Sequence, residues 1–427
     1  MSGNTKQKDE VKAIHSKIKK MPVGDPAAIV VPLYTKNGQL VSVLQTELVL
    51  SLVYNEEGAD TAVSTTPEIP APPPPSVPDL TSSAPLHLVE NEIIVIDSVN
   101  SGKGRNPETD VYKNVIDPLF EELGVEHKHL STDGADSIKQ FANSLKQKKT
   151  QLVIFISGDT SINEFINGLD RNDQGGDLLL FHIPAGTGNS LALSLGIYNV
   201  AESIQRLLSP EEIVPFNLYE ATFPEGSYHL SRDVKTEEIF TPLKFIVVLS
   251  WGFHASLVAD SDTPELRKHG VQRFAIAAKT NLEEVQLYDG ETRIGDNETL
   301  IEGPFAYWLA TPAKRFEKPF EISPRGDVKD DKLWLVAFNT SSGSEYIVDI
   351  MTKVYDSGKH VKDERVVYES VQKGEDIVLE VSAKNSARRG RFCLDGSIIK
   401  VPDGKQGTVK VNSTGNNHQG WSFYLIT

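Results

Sequence analysis

The sequence predicts an α/β lobe built on a mostly parallel sheet, followed by a mainly β lobe of sandwich type. Between residues 92 and 208, short apolar runs alternate with stretches whose apolar residues recur at helical spacing, the rhythm of a parallel sheet with crossover helices. From about Phe216 the pattern changes to aromatic-containing runs at 245–250, 306–310, 333–338 and 377–381, which read as strands. The third observation is a repeat. Over residues 152–196 an apolar run, a tight glycine turn and a helical stretch occur twice in succession.

Residues 1–20 hold Lys6, Lys8, Lys12, Lys17, Lys19 and Lys20, with Val11, Ile14, Ile18 and Met21 near helical spacing. They read as a solvated terminus or, alternatively, as a basic amphipathic segment for an anionic membrane surface. Runs at 29–33 and 40–44 flank Lys36-Asn37-Gly38, a hairpin signal. Residues 1–55 are therefore a lysine-rich terminus and a small β module, or strands lent to a later sheet. Residues 56–90 are proline-rich, with Pro72 to Pro75 consecutive, and read as a linker that builds no core, or as a polyproline docking stretch. The α/β domain follows at 91–220 and the mainly β domain at 221–427.

Within the α/β domain a strand at 93–96 ends in Asp97-Ser98-Val99-Asn100-Ser101-Gly102-Lys103-Gly104. Val111, Val115, Leu119 and Leu123 form a helix face, and a strand near 125–130 leads to Ser131-Thr132-Asp133-Gly134. A second face is Ile138, Phe141, Ala142 and Leu145. The repeat then gives a strand at 152–156, the turn Ser157-Gly158-Asp159-Thr160 and a helix through Ile162, Phe165, Ile166 and Leu169. Its second copy gives a strand at 178–183, a turn at 184–188 and a helix through Leu191, Ala192 and Leu195. Ile204, Leu207 and Leu208 close the domain. All these turns fall at the carboxyl ends of strands, where open α/β sheets bind ligands. Glycines there let the backbone approach a ligand, and amides opening the next helix favour an anion. Neither turn has the P-loop or the dinucleotide pattern.

The residues resemble the lipid kinases that share the diacylglycerol kinase catalytic domain, and within them the sphingosine (sphingoid long-chain base) kinases. The first signature is followed by Ser157-Gly158-Asp159-Thr160-Ser161-Ile162-Asn163-Glu164-Phe165-Ile166-Asn167-Gly168-Leu169, and the second by Pro184-Ala185-Gly186-Thr187-Gly188-Asn189. Weaker likenesses lie at 97–104, at Thr132, at 249–262 with Arg267 and Arg273, and at Asp395-Gly396, so the resemblance covers about residues 92–410. It implies a NAD-kinase- and diacylglycerol-kinase-like α/β lobe, ATP in the cleft between lobes, and a lipid entering the C-terminal lobe. It implies Asp159 as the catalytic carboxylate, general base or metal-orienting group, with Ser157, Asp159 and Ser256 at the lipid. Nucleotide contacts are implied for Ser101, Gly102, Thr132, Gly158, Glu164, Gly186, Thr187, Gly188, Arg267, Arg273, Asp395 and Gly396. Mg²⁺ needs only one or two carboxylates beside the phosphates, so no dense ligand cluster is expected and its ligands stay unassigned. The chain departs from the family at Thr160, where a glycine stands, at Ser256, where an aspartate does, and at Ser397, where a glutamate does. A β-branched residue at position 160 is expected to crowd a phosphate or to resist a positive φ.

Alternatives stay open. Asp159 alone would serve as a helix cap. Asn167-Gly168 reads as a helix C-cap, His182 and His254 as structural histidines, and Trp251 and Phe253 as core or lipid-pocket lining. Lys384, Arg388, Arg389 and Arg391 read as a solvated face or a headgroup contact. The function expected is ATP-dependent phosphorylation of a sphingoid base, with diacylglycerol or ceramide, a soluble substrate, or a non-transferring regulatory module as rivals. A net charge of −16 argues against nucleic-acid binding, and the single cysteine, Cys393, excludes an internal disulfide. With no secretory signal and no long apolar run, a cytoplasmic protein with peripheral membrane contact is expected.

Overall fold

The hairpin expected near the N-terminus is present and carries a third strand. In the computed structural model, β1 (Ile29–Tyr34), β2 (Leu40–Gln45) and β3 (Leu50–Tyr54) form a separate antiparallel sheet. The structure describes residues 29–34, 40–46, 49–54, 84–102, 104–146, 149–270, 272–295, 299–339, 343–382, 388–403 and 406–427. The lysine-rich terminus, the Lys36-Asn37-Gly38 turn, the polyproline stretch, Lys103 and Lys384 lie outside these residues.

The α/β lobe is a parallel sheet in which β4 (Glu92–Asp97) lies between β5 (His127–Ser131) and β6 (Gln151–Ser157), and β6 pairs on its far side with β7 (Gly176–Pro184). β6 is buried along its whole length, as befits a central strand covered on both faces. Alternate strand residues divide between the two faces. Ile94, Ile96, Val153, Phe155 and Leu180 pack against residues of α2 (Ser137–Ser144) and α3 (Asp159–Gly168). Ile93, Val95, Leu152, Ile154 and Phe181 pack against α1 (Asp117–Leu123), α5 (Val200–Leu208) and the β1–β3 sheet. Between β7 and α5 lies the short helix α4 (Ser190–Ser194).

The C-terminal lobe has an eight-stranded and a six-stranded sheet, both antiparallel. Trp251, Trp308, Leu335 and Phe392 of the larger sheet face Tyr219, Leu379 and Val409 of the smaller, a sandwich core. The larger sheet also carries three helices that the strand-like pattern did not suggest: α6 (Phe253–Ser261), α7 (Gln272–Glu283) and α8 (Ser344–Tyr355). α6 has almost no amphipathic period, so no face declares itself in the sequence.

The two lobes are interwoven. The last strand, Trp421–Ile426, lies within the 221–427 segment yet runs parallel to β7, and β8 (Ile213–Pro215) pairs antiparallel with it. One apolar core extends from Ile94 and Phe155 to Val247, Leu309 and Ile347 and so joins the lobes. Among the described residues no helix is long and apolar enough to cross a membrane.

Candidate active site

Because β4, β6 and β7 are adjacent and parallel, the turns that follow them open side by side, and their backbones touch. The Ala185 N–H donates to the Ser157 carbonyl at 2.9 Å, and the Asp159 N–H to that of Gly188 at 3.4 Å. A Cβ on Gly186 would clash with the Gly158 Cα and stand 2.7 Å from its nitrogen. Gly102, at φ +64°, leaves a Cβ 2.8 Å from the Ala185 carbonyl oxygen. These glycines are where they are because three backbones meet at one point. Asn189 closes the second turn on itself, accepting from the Gly186 N–H at 2.9 Å and donating to its carbonyl at 3.0 Å. Thr187 and Gly188 sit at that turn's open tip.

Two residues fix the turn after β4. Thr132 Oγ1 accepts from the Val99 N–H at 3.2 Å, and the Thr132 N–H donates to the Asp97 carbonyl at 3.0 Å. Arg105, almost buried, pairs with Asp97 at 3.0 Å and donates to the carbonyls of Ser98 and Ile156 at 3.3 and 3.0 Å. Burial raises the Asp97 pKa and the Arg105 charge opposes it. Ser101 is held by its hydroxyl, which donates to that of Ser98 at 2.8 Å.

Asp159 is buried, and its carboxylate does cap a helix, though not its own. Oδ2 accepts from the Ser190 N–H at 2.6 Å and Oδ1 from the Leu191 N–H at 3.1 Å, the first amides of α4. Asp159 thus ties the first turn to the helix after the second. Both oxygens are fixed as hydrogen-bond acceptors.

From Thr160 onward, α3 is clamped to the C-terminal lobe. Thr160 lies in the first turn of α3, is not among the positive-φ residues, and donates through Oγ1 to the Asp395 carbonyl at 2.8 Å. The positive φ does not arise, and the hydroxyl makes an inter-lobe hydrogen bond. A Cβ on Gly396 would run into the Thr160 hydroxyl. Asn163 donates to the Asp395 carboxylate at 2.9 Å and to the Lys244 carbonyl at 2.7 Å. Asn167, read as a helix cap, instead exchanges hydrogen bonds with Lys244, donating to its carbonyl at 2.9 Å and accepting from its N–H at 2.8 Å. The Asp395 carboxylate also accepts the N–H groups of Ile246, Val247 and Val248 at 2.7, 2.9 and 2.7 Å. Expected at the nucleotide, Asp395 has its carboxylate turned inward and committed to the lobe junction.

Glu164 lies five residues beyond Asp159, about 140° around the helix, and its charged neighbour is Asp136. Burial, with the Asp136 charge, pushes its pKa up from 4.5 to about 7. A raised carboxyl pKa contributes stability that is fully present below 4.5 and is lost as pH rises through about 7. Glu164→Gln is expected to flatten that part of the stability–pH curve, read by denaturant midpoints between pH 4 and 8.

The remaining predicted residues lie in the C-terminal lobe. Arg267 pairs with Asp262 at 2.5 Å, and Arg273 with the same carboxylate at 3.5 Å. Asp262 thus holds both arginines. Ser256 is fully buried and shares a 2.7 Å hydrogen bond with the Tyr288 hydroxyl. Beside it, Phe253, Asn281, Tyr288, Ala306 and Ile347 line a cavity of about 10 Å³, room for no more than a water molecule. Trp251 is core, stacked on Phe392. His254 meets the Ser250 hydroxyl at 2.7 Å. Arg391 is not on a solvated face: it is buried and paired with Asp260 at 2.8 Å.

Residues 92–221, which contain the three turns, match the family model for the diacylglycerol kinase catalytic domain. Over 373 residues the chain is 24% identical to sphingosine kinase 1 of Rattus norvegicus, covering 78% of this chain and 92% of that one. It is 35% identical to sphingosine kinase B of Dictyostelium discoideum over 102 residues, 23% of this chain and 13% of that protein. A crystal structure of a diacylglycerol kinase from Bacillus anthracis str. Sterne covers 79% of this chain and 96% of its own, with a TM-score of 0.51 at 16% identity, and shares the fold.

Sequence reasoning missed several residues that shape this site. Arg105 looked like an ordinary loop arginine, and only its nearness to Asp97 hinted at burial. Asn163 and Asn167 sit four apart on one helix face, a pattern that would have flagged a polar contact for that face. Nothing local signals their partner Lys244.

Proposed function

We propose that the chain is an ATP-dependent lipid kinase that transfers the γ-phosphate to a primary hydroxyl of a sphingoid base or a related lipid. The observation that carries this reading is the contact of three glycine turns at adjacent parallel strand ends, with Asp159 held among them. Phosphoryl transfer asks a protein mainly for positioning and charge stabilisation. The amides of Gly158, Thr187 and Gly188, which the turns leave unengaged, hold the phosphates, and that of Gly102 completes the wall of the cradle. Asp159, its oxygens fixed by the amides of α4, accepts the proton of the attacking hydroxyl. The hydroxyl oxygen bonds to the γ-phosphorus, and the bond to the bridging oxygen breaks with its electron pair leaving on ADP.

A nucleotide's Mg²⁺ would be carried largely by the phosphate oxygens, with one or two carboxylates at most beside them. Mg²⁺ so carried neutralises phosphate charge. Lipid enters among α6, α7 and α8, which must part because the cavity there is closed. The names of the relatives favour a sphingoid base. The neutral Ser256–Tyr288 pair favours diacylglycerol or ceramide, since it offers no charge to an amine.

A second reading, a module that binds nucleotide or lipid without transfer, draws on the Arg267 and Arg273 pairing with Asp262. Transfer of labelled γ-phosphate from ATP with Mg²⁺ to sphingosine, dihydrosphingosine, ceramide, diacylglycerol and a soluble control decides between them. Labelled lipid supports the kinase and names its substrate. ATP binding without label in any acceptor supports the module. Overpacking at the turn contact costs about 1–3 kcal/mol, so Gly186→Ala is expected to weaken ATP binding roughly tenfold, read by calorimetric titration.

A further inference from the structure

His182, on β7 and buried behind the two signature turns, has one nitrogen engaged and one bare. Its Nε2 lies 3.0 Å from the Ser157 carbonyl oxygen, which only accepts, so Nε2 carries the hydrogen and Nδ1 carries a lone pair. Nδ1 has no hydrogen-bond partner, and it stands 3.8 Å from Asp159 Oδ1. Two acceptors therefore face each other 3.8 Å apart. Such a contact is unfavourable while both are unprotonated, and becomes a hydrogen bond once a proton lies between them.

We propose that His182 is a positioning residue for Asp159, whose bare Nδ1 receives in hydrogen bonding the proton that Asp159 takes from the attacking hydroxyl. The inference rests on the kinase reading above. The substrate O–H bond breaks, its proton moves to Oδ1, and the Oδ1–H group turns toward Nδ1 while Oδ2 keeps the Ser190 amide. After the phosphorylated product leaves, the proton is lost to water and the lone-pair contact returns. Among the described residues Asp159 is the one titratable group that acts on His182, and burial keeps the imidazole below its usual 6.5, hence neutral and able to accept.

Two substitutions separate this role from a purely structural one. His182→Gln places its amide near Nε2, keeping the bond to Ser157 but offering no acceptor to Asp159. His182→Asn places its amide near Nδ1, keeping the acceptor but losing the Ser157 bond. The expected result is that His182→Gln lowers kcat about tenfold with both KM values unchanged, and that His182→Asn recovers most of that loss. The opposite ranking, with His182→Gln fully active and His182→Asn impaired, overturns the proposal. Imidazole ¹⁵N shifts of the wild-type protein give a readout independent of turnover. A protonated Nε2 with a bare Nδ1 is expected, and a hydrogen on Nδ1 overturns the geometry. If the wild type phosphorylates no acceptor, the kinase reading fails and takes the proton-transfer role with it. The ¹⁵N result then still shows whether the lone-pair contact exists.

Discussion

Asp159→Asn is expected to lower the rate of phosphoryl transfer by about 10² to 10⁴, the usual contribution of a positioned general base. Its structural cost is smaller. One carboxylate oxygen becomes an NH₂ group facing either the Ser190 or the Leu191 N–H, while the other still accepts. Leaving one buried amide unpaired costs about 1–3 kcal/mol. Activity and stability are therefore expected to part company, with kcat at saturating ATP and lipid collapsing while the unfolding midpoint falls by a few degrees. A rate within tenfold of wild type would remove Asp159 from the chemistry and leave it as the tie between the first turn and α4.

The largest stability effect is expected at Asp395. Asp395→Ala strips the acceptor from the Ile246, Val247 and Val248 amides and from the Asn163 side chain at once. With the three backbone donors buried and out of reach of water, the loss is expected to exceed about 3 kcal/mol. Denaturant unfolding with an unchanged slope and a lowered midpoint is the expected readout. Burial, aided by the Asp159 charge and opposed by the three backbone donors, pushes Asp395 up to about 7. Like Glu164, it contributes stability that is fully present below 3.8 and is lost as pH rises through about 7, a slope that Asp395→Ala abolishes. Midpoints equal to wild type would mean that the junction holds without this carboxylate.

The parts of the site legible in the sequence were those set by local geometry. A glycine that must touch another backbone cannot be replaced without moving it, so Gly158, Gly186 and Gly102 mark their turns however distant their partners lie. Strand and helix alternation from Glu92 onward was legible for the same reason, being written in periods of two to four residues. Side-chain partners chosen across the fold were not. Arg105 reaches a carbonyl 51 residues away, Asn163 one 81 residues away, and Asp395 an amide 149 residues away. The Asp395-Gly396 pair stood out as a turn, but nothing local tells whether its carboxylate faces a nucleotide or the lobe junction. Trp421–Ile426 reads as a strand, yet its return to β7 depends on a partner some 245 residues earlier. α6 escaped because it is apolar on several sides, covered by sheet and neighbouring helices.

The central claim is that one phosphate site is formed where the turns after β4, β6 and β7 meet. A crystal structure with a non-hydrolysable ATP analogue tests it most directly. The account predicts phosphate oxygens within hydrogen-bonding distance of backbone amides from the 157–160 and 184–189 turns, with the terminal phosphate closest to Asp159. A triphosphate seated away from these turns, with Gly158 and Gly186 still in contact and empty of ligand, would contradict it.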